Sequence, residues 1–190
     1  MGKGRLEAFS DGVIAIIITI MVLELKAPEG SGFPALAGVL PTFLSYVLSF
    51  LYVGIYWNNH HHMLHAATRV SGAVLWANLH LLFWLSLFPF VTAWMNQSRF
   101  ASAPVAVYGG VLLLAATAYY NLARCLAATN GRDSKLATAF GRDYKGLVSI
   151  VLYAAGIALS FFNAWAALAV YVLVAGIWFV PDRRIEKAMG

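Results

Sequence analysis

The chain has 190 residues, of which 61% are apolar and 11% charged, and its mean hydropathy is +0.74. Soluble domains carry about a quarter charged residues, so this composition excludes a soluble globular protein and places most of the chain in a lipid bilayer. The formal charge of +5 is no footprint for nucleic acid, because the basic residues are scattered through short polar stretches rather than gathered on one face.

Apolar runs long enough to cross a membrane recur at about 5–25, 36–60, 70–95, 104–128, 146–162 and 164–180, at about 20 residues per crossing. They predict an all-α integral membrane protein, a single domain over 1–190 with six transmembrane helices. No linker, low-complexity tract or internal repeat divides the chain. Breakers punctuate it at Pro28-Glu29-Gly30-Ser31-Gly32, Pro104, Asn130-Gly131 and Pro181. Pro41 and Pro89 fall inside spans, where neighbouring helices tolerate them. The last two runs are short and joined by Ser160-Phe161-Phe162-Asn163-Ala164-Trp165, which predicts a helical hairpin with an aromatic tip.

The first run carries an unusual head. Asp11 lies about 10 Å inside its span at 1.5 Å per residue, where an ionised carboxylate costs several kcal/mol unless paired, so it is expected to face protein or water. At about 100° per residue, Arg5, Phe9, Gly12, Ile16, Ile20 and Leu23 form one stripe with Thr19 at its edge, while Ser10 and Asp11 point elsewhere. Such spacing arises by chance in many membrane helices. Acidic Glu7 and Asp11 interrupt any signal-peptide pattern, so the helix is expected to be retained.

The second run ends in Asn58-Asn59-His60-His61-His62-Met63-Leu64-His65. His61 and His65 share a helical face, yet a membrane metalloenzyme needs several such clusters with acidic partners, and the only other histidine is His80. No metal site is expected. Asn78, nine residues along the third run from Arg69, reaches a depth close to that of Asp11, and with Trp57, His60 and His61 it makes a candidate polar network supporting the first helix. Cys125, the single cysteine, forms no intrachain disulfide and reads as a packing residue. With no phosphate-binding loop, no Ser/His/Asp set at one depth and no paired carboxylates within a span, an enzyme is not expected. Thr-Val-Gly-Tyr-Gly is also missing, so no backbone-carbonyl filter of the usual potassium-channel kind is expected.

Orientation follows from the basic residues, which mark cytoplasmic loops. Lys3, Arg5, Arg69, Arg124, Arg132, Lys135, Arg142, Lys145, Arg183, Arg184 and Lys187 share one side and only Lys26 and Arg99 the other, an 11 to 2 split that places both termini in the cytoplasm.

Arg5-x-x-x-Phe9-Ser10-Asp11-Gly12 ahead of an Ile/Thr-rich run resembles the signature of the endosomal and lysosomal potassium-channel family, in particular its single-repeat prokaryotic members. Trp57-x-x-His60 with His61, Asn78 and Pro89-Phe90 extend the resemblance through the first half of the chain. It implies a homotetramer in the plasma membrane whose first helices line a central pore, with a polar network behind them. It further implies a constriction of Ile16, Ile20 and Leu23, a selectivity-related ring at Thr19, and potassium as the permeant ion with no cofactor. One pore helix per subunit demands a closed ring of copies, and tight aliphatic rings block ions by dewetting. The alternative is a secondary transporter or proton-coupled carrier using Asp11 and the histidine cluster, although the related halves of most transporters are missing.

Overall fold

The computed structural model describes residues 2–131 and 144–179. Arg132, Lys135, Arg142, Pro181, Arg183, Arg184, Lys187 and the last residue of the sixth run lie outside the described residues. Among the described residues, seven helices form: α1 (Lys3–Leu23), α2 (Phe33–Ala66), α3 (Gly72–Ser86), α4 (Phe88–Gln97), α5 (Ser102–Asn130), α6 (Tyr144–Ser160) and α7 (Ala164–Phe179). Among these residues, four helical stretches are long and apolar enough to cross a membrane: α1, α2, α3 with α4 as one stretch, and α5.

The third run is two helices because of Pro89. Having no N–H, Pro89 cannot donate to the Leu85 carbonyl, and it sits in the first turn of α4, where that donor is dispensable. The Val91 N–H to Leu87 carbonyl bond of 3.0 Å then carries the chain on. Pro41 lies inside α2 without ending it, and α2 continues past His60 to Ala66, so the histidine cluster is helical throughout.

α1 packs against α2, α3 and α4, whereas α5 contacts α3, α4, α6 and α7. The core runs along α5, and α1 and α2 are peripheral: 28% and 22% of their apolar stretches are buried, against 56% for α5. The hairpin tip is capped by Asn163, whose side-chain oxygen accepts from the N–H groups of Trp165 at 3.0 Å and Ala166 at 3.1 Å. At the opposite end, the Asn130 amide fastens α5 to the turn between α2 and α3. Its oxygen accepts from the N–H groups of Thr68 and Arg69 at 2.9 Å, and its nitrogen donates to the carbonyls of Arg69 at 3.1 Å and Leu126 at 2.9 Å.

Six tyrosines, at positions 52, 56, 108, 119, 153 and 171, are buried where α2, α5, α6 and α7 meet. Tyr171 stacks obliquely on Tyr108 and Tyr153 with ring centroids 6.0 and 6.4 Å apart, and Tyr52 donates to the Tyr171 carbonyl at 2.6 Å. Only glycine permits this approach. A Cβ on Gly109 would collide with the Tyr171 hydroxyl, and one on Gly156 would lie 2.5 Å from its ring. Gly109→Ala is expected to lower stability by about 1–3 kcal/mol through overpacking, read as a reduced unfolding temperature in detergent, with part of the loss recovered by Tyr171→Leu in the same chain.

Candidate functional site

α1 turns Leu6, Ser10, Ile14, Ile17 and Met21 into the subunit. Four of these are apolar. The fifth, Ser10, anchors a buried polar chain: its hydroxyl donates to the Leu6 carbonyl at 2.8 Å and accepts from the Asn78 amide nitrogen at 2.9 Å, and the Asn78 oxygen lies 2.7 Å from His60 Nε2. With Asn78 accepting, the imidazole is the donor at Nε2. Ser10 and Asn78 are fully buried and His60 is 2% exposed, so α1, α3 and α2 are tied together in a dry setting where an unmade bond is costly.

Asp11, expected from the sequence to face protein or water, lies on the exposed flank of α1. Its Oδ1 accepts from Trp57 Nε1 at 2.9 Å. The adjacent residues are about 100° apart round the helix, and it is the smaller, neutral Ser10 that takes the interior position. His61 also stays outside the buried chain. It stacks between Trp57 and His65 with centroid separations of 6.1 Å on each side, forming a ladder along α2. Lys3 fastens the start of α1 to the end of α2 by donating to the His65 carbonyl at 2.9 Å.

The predicted stripe is uncovered in the single subunit. Ile16, Ile20 and Leu23 are 59%, 44% and 76% exposed, and Arg5, Phe9, Gly12 and Thr19 share their exposure. Thr19 donates its hydroxyl proton to the Ala15 carbonyl at 2.8 Å, which leaves the oxygen lone pairs outward. Behind the far end of α1, a cavity of about 350 Å³ opens between Met21, Glu24 and Leu25 on one side and α2 and α4 on the other. A second polar contact set went unnoticed in the sequence: Ser49 lies 2.7 Å from Thr92 Oγ1 and 3.1 Å from Tyr108 Oη, joining α2, α4 and α5. The hydroxyl-bearing turn Ser45-x-x-x-Ser49 was its available signal.

An apolar bundle with four stretches long enough to cross a bilayer among its described residues, tied by a buried polar lock, defines a multi-pass membrane protein. Residues 5–89 match the family described as endosomal/lysosomal potassium channel TMEM175. A protein named as a potassium channel from a Chryseobacterium species is 56% identical over 189 residues, covering 100% of this chain and 98% of that one. The human endosomal/lysosomal proton channel TMEM175 is 36% identical over 119 residues, which are 55% of this chain and 23% of the human protein. The crystal structure of a lysosomal potassium-selective channel TMEM175 homologue from Chamaesiphon minutus superposes with a TM-score of 0.82 at 28% identity, covering 94% and 96% of the two chains. This chain belongs to the TMEM175 family.

Asn78→Leu is expected to destabilise the protein more than Ser10→Ala. The first leaves both Ser10 and His60 without their bond at about 1–3 kcal/mol per buried group, and the second deprives one Asn78 donor alone. Chemical denaturation of both variants in detergent provides the comparison.

Proposed function

We propose that four copies of this chain form a potassium-permeable channel in the cell membrane, with α1 of each copy facing a central pore and both termini cytoplasmic. In this reading the polypeptide is one transmembrane domain crossing the bilayer six times, with α3 and α4 as a single crossing and the α6–α7 hairpin as the last two. The observation that carries it is the exposure of Ile16, Ile20 and Leu23 on a helix whose opposite face is locked into the subunit. The buried Asn78–Ser10 bond, which fixes the rotation of α1, supports this stripe as the pore face.

Rings of these side chains narrow the path to apolar walls that expel water when close, which stops ions without any charge. Ile16 is the tightest ring. Thr19, one turn beyond, has its proton committed to Ala15, so its oxygen presents only lone pairs, the polarity that a partly dehydrated cation requires. Selectivity then rests on side chains, with no backbone-carbonyl filter. The buried Ser10–Asn78–His60 chain, with Arg5, Phe9, Asp11, Gly12, Trp57 and His61 around it, fixes the rotation of α1.

Replacing Ile16 by Asn keeps similar bulk and adds groups that hold water, so cation leak through reconstituted liposomes is expected to rise. Thr19→Ala is expected to lower discrimination between potassium and sodium while the closed pore stays closed. A leak that rises for Leu23→Asn but not for Ile16→Asn would move the gate two turns outward, and assembled channels passing no potassium would overturn the reading.

A further inference from the structure

α1 has three faces, each separated from the next by roughly a third of a turn. One enters the subunit and one carries the aliphatic stripe. The third consists of Gly4, Ala8, Asp11 and Ala15, all exposed and within about 60° of one another at about 100° per residue. Small residues at this spacing let a second helix approach closely in a membrane. A carboxylate among them forbids lipid as the neighbour, and Trp57 occupies only Oδ1.

α3 presents a face of the opposite kind. Trp76, Leu79 and Phe83 are 75%, 42% and 54% exposed, and His80 is exposed among them. Trp84 Nε1 donates to His80 Nε2 at 2.9 Å. An indole nitrogen only donates, so the neutral imidazole carries its proton on Nδ1, the nitrogen that Trp84 does not occupy.

The heights of these two faces are fixed relative to each other. The bond between Asn78 and Ser10 sets both residues at one level, and α1 and α3 run in the same direction across the membrane. Asp11 is one residue beyond Ser10 and His80 two beyond Asn78, a mismatch of about 1.5 Å. In a ring whose axis is the membrane normal, every copy keeps its level. We propose that the Gly4–Ala15 face of α1 packs against the Trp76–Phe83 face of α3 in the neighbouring copy, where His80 donates from Nδ1 to the Asp11 carboxylate. The occupant is a second copy of this chain because it alone brings an imidazole donor to that depth on every subunit, and a carboxylate accepting from both Trp57 and His80 is satisfied without water. The inference deepens the tetrameric reading and rests on it.

The same register supplies the test, since Ala15 and Phe83 are each five residues beyond the bonded pair. In a Cys125→Ser background, the double variant Ala15→Cys, Phe83→Cys is oxidised in native membranes, and wild-type protein is treated in parallel with glutaraldehyde. The expected result is a disulfide ladder reaching tetramer for the double variant. Co-expressed single variants should give dimers and nothing larger, with far fewer from either variant alone. Tetramers with glutaraldehyde but no disulfide-linked species would overturn the interface and leave the tetramer standing; glutaraldehyde products that stop at dimers would overturn both. For the hydrogen bond, His80→Leu should lower the temperature at which the tetramer dissociates in detergent, and His80→Asn, whose amide nitrogen lies near the place of Nδ1, should restore most of it. Asp11→Asn combined with His80→Leu should lower it no further than the larger single effect. An unchanged dissociation temperature in His80→Leu would overturn the bond.

Discussion

One primary amide, that of Asn78, sets the geometry on which the remainder of this subunit depends. Buried between three helices, it donates to Ser10 and accepts opposite His60, and these requirements are met together at only one height and one rotation of α1. Apolar packing alone does not have this property. A helix of isoleucines turned by 100° finds other apolar neighbours at little cost, whereas a buried amide turned away from its partners loses the energy of each bond it had. The outward placement of Ile16, Ile20 and Leu23 is therefore a result of what occurs on the opposite side of the helix.

The lock acts near one end. Ser10 and the Lys3 contact to His65 hold the first half of α1, while the last turn backs onto the cavity beside Met21 and Glu24. Around that cavity, α2 and α4 are themselves joined by Ser49 and Thr92. The far end of α1 thus has space behind it and a firm frame beyond that space. A helix tied at one end and loosely backed at the other concentrates its freedom where the aliphatic stripe ends.

The all-helical class and the main breaks were legible in the sequence because hydropathy and Gly/Pro punctuation are local properties. Counting residues from the span ends brought Asn78 close to the depth of Asp11, and the structure bonds Asn78 to Ser10, the residue beside it. Rotation was not legible. Ser10 and Asp11 were both expected to point away from the stripe, yet Ser10 alone takes the interior position and Asp11 meets an indole at the flank. The division of the third run at Leu87 was hidden because a proline in the first turn of a new helix and a proline tolerated inside a long one read alike in a single sequence. The tyrosine cluster was invisible for another reason: its members come from four helices, and only the glycines at 109 and 156 hinted that something large lay against them.

The knot at Asn130 also affects how this protein ages. Asn130 precedes Gly131, the pairing in which the following backbone nitrogen most readily attacks the side-chain carbonyl, closing a succinimide that opens to aspartate or isoaspartate. Here that side chain is engaged on both sides, with its oxygen accepting from Thr68 and Arg69 and its nitrogen donating to Arg69 and Leu126. The Gly131 nitrogen is engaged as well, donating to the Ala127 carbonyl at 3.1 Å, and both sets of bonds oppose the closure the sequence invites. Were the amide hydrolysed, the new carboxylate oxygen would oppose two carbonyl oxygens where a donor had been, and α5 would part from the turn that positions α3. The durability of the fold is in this respect a matter of covalent chemistry at a single side chain.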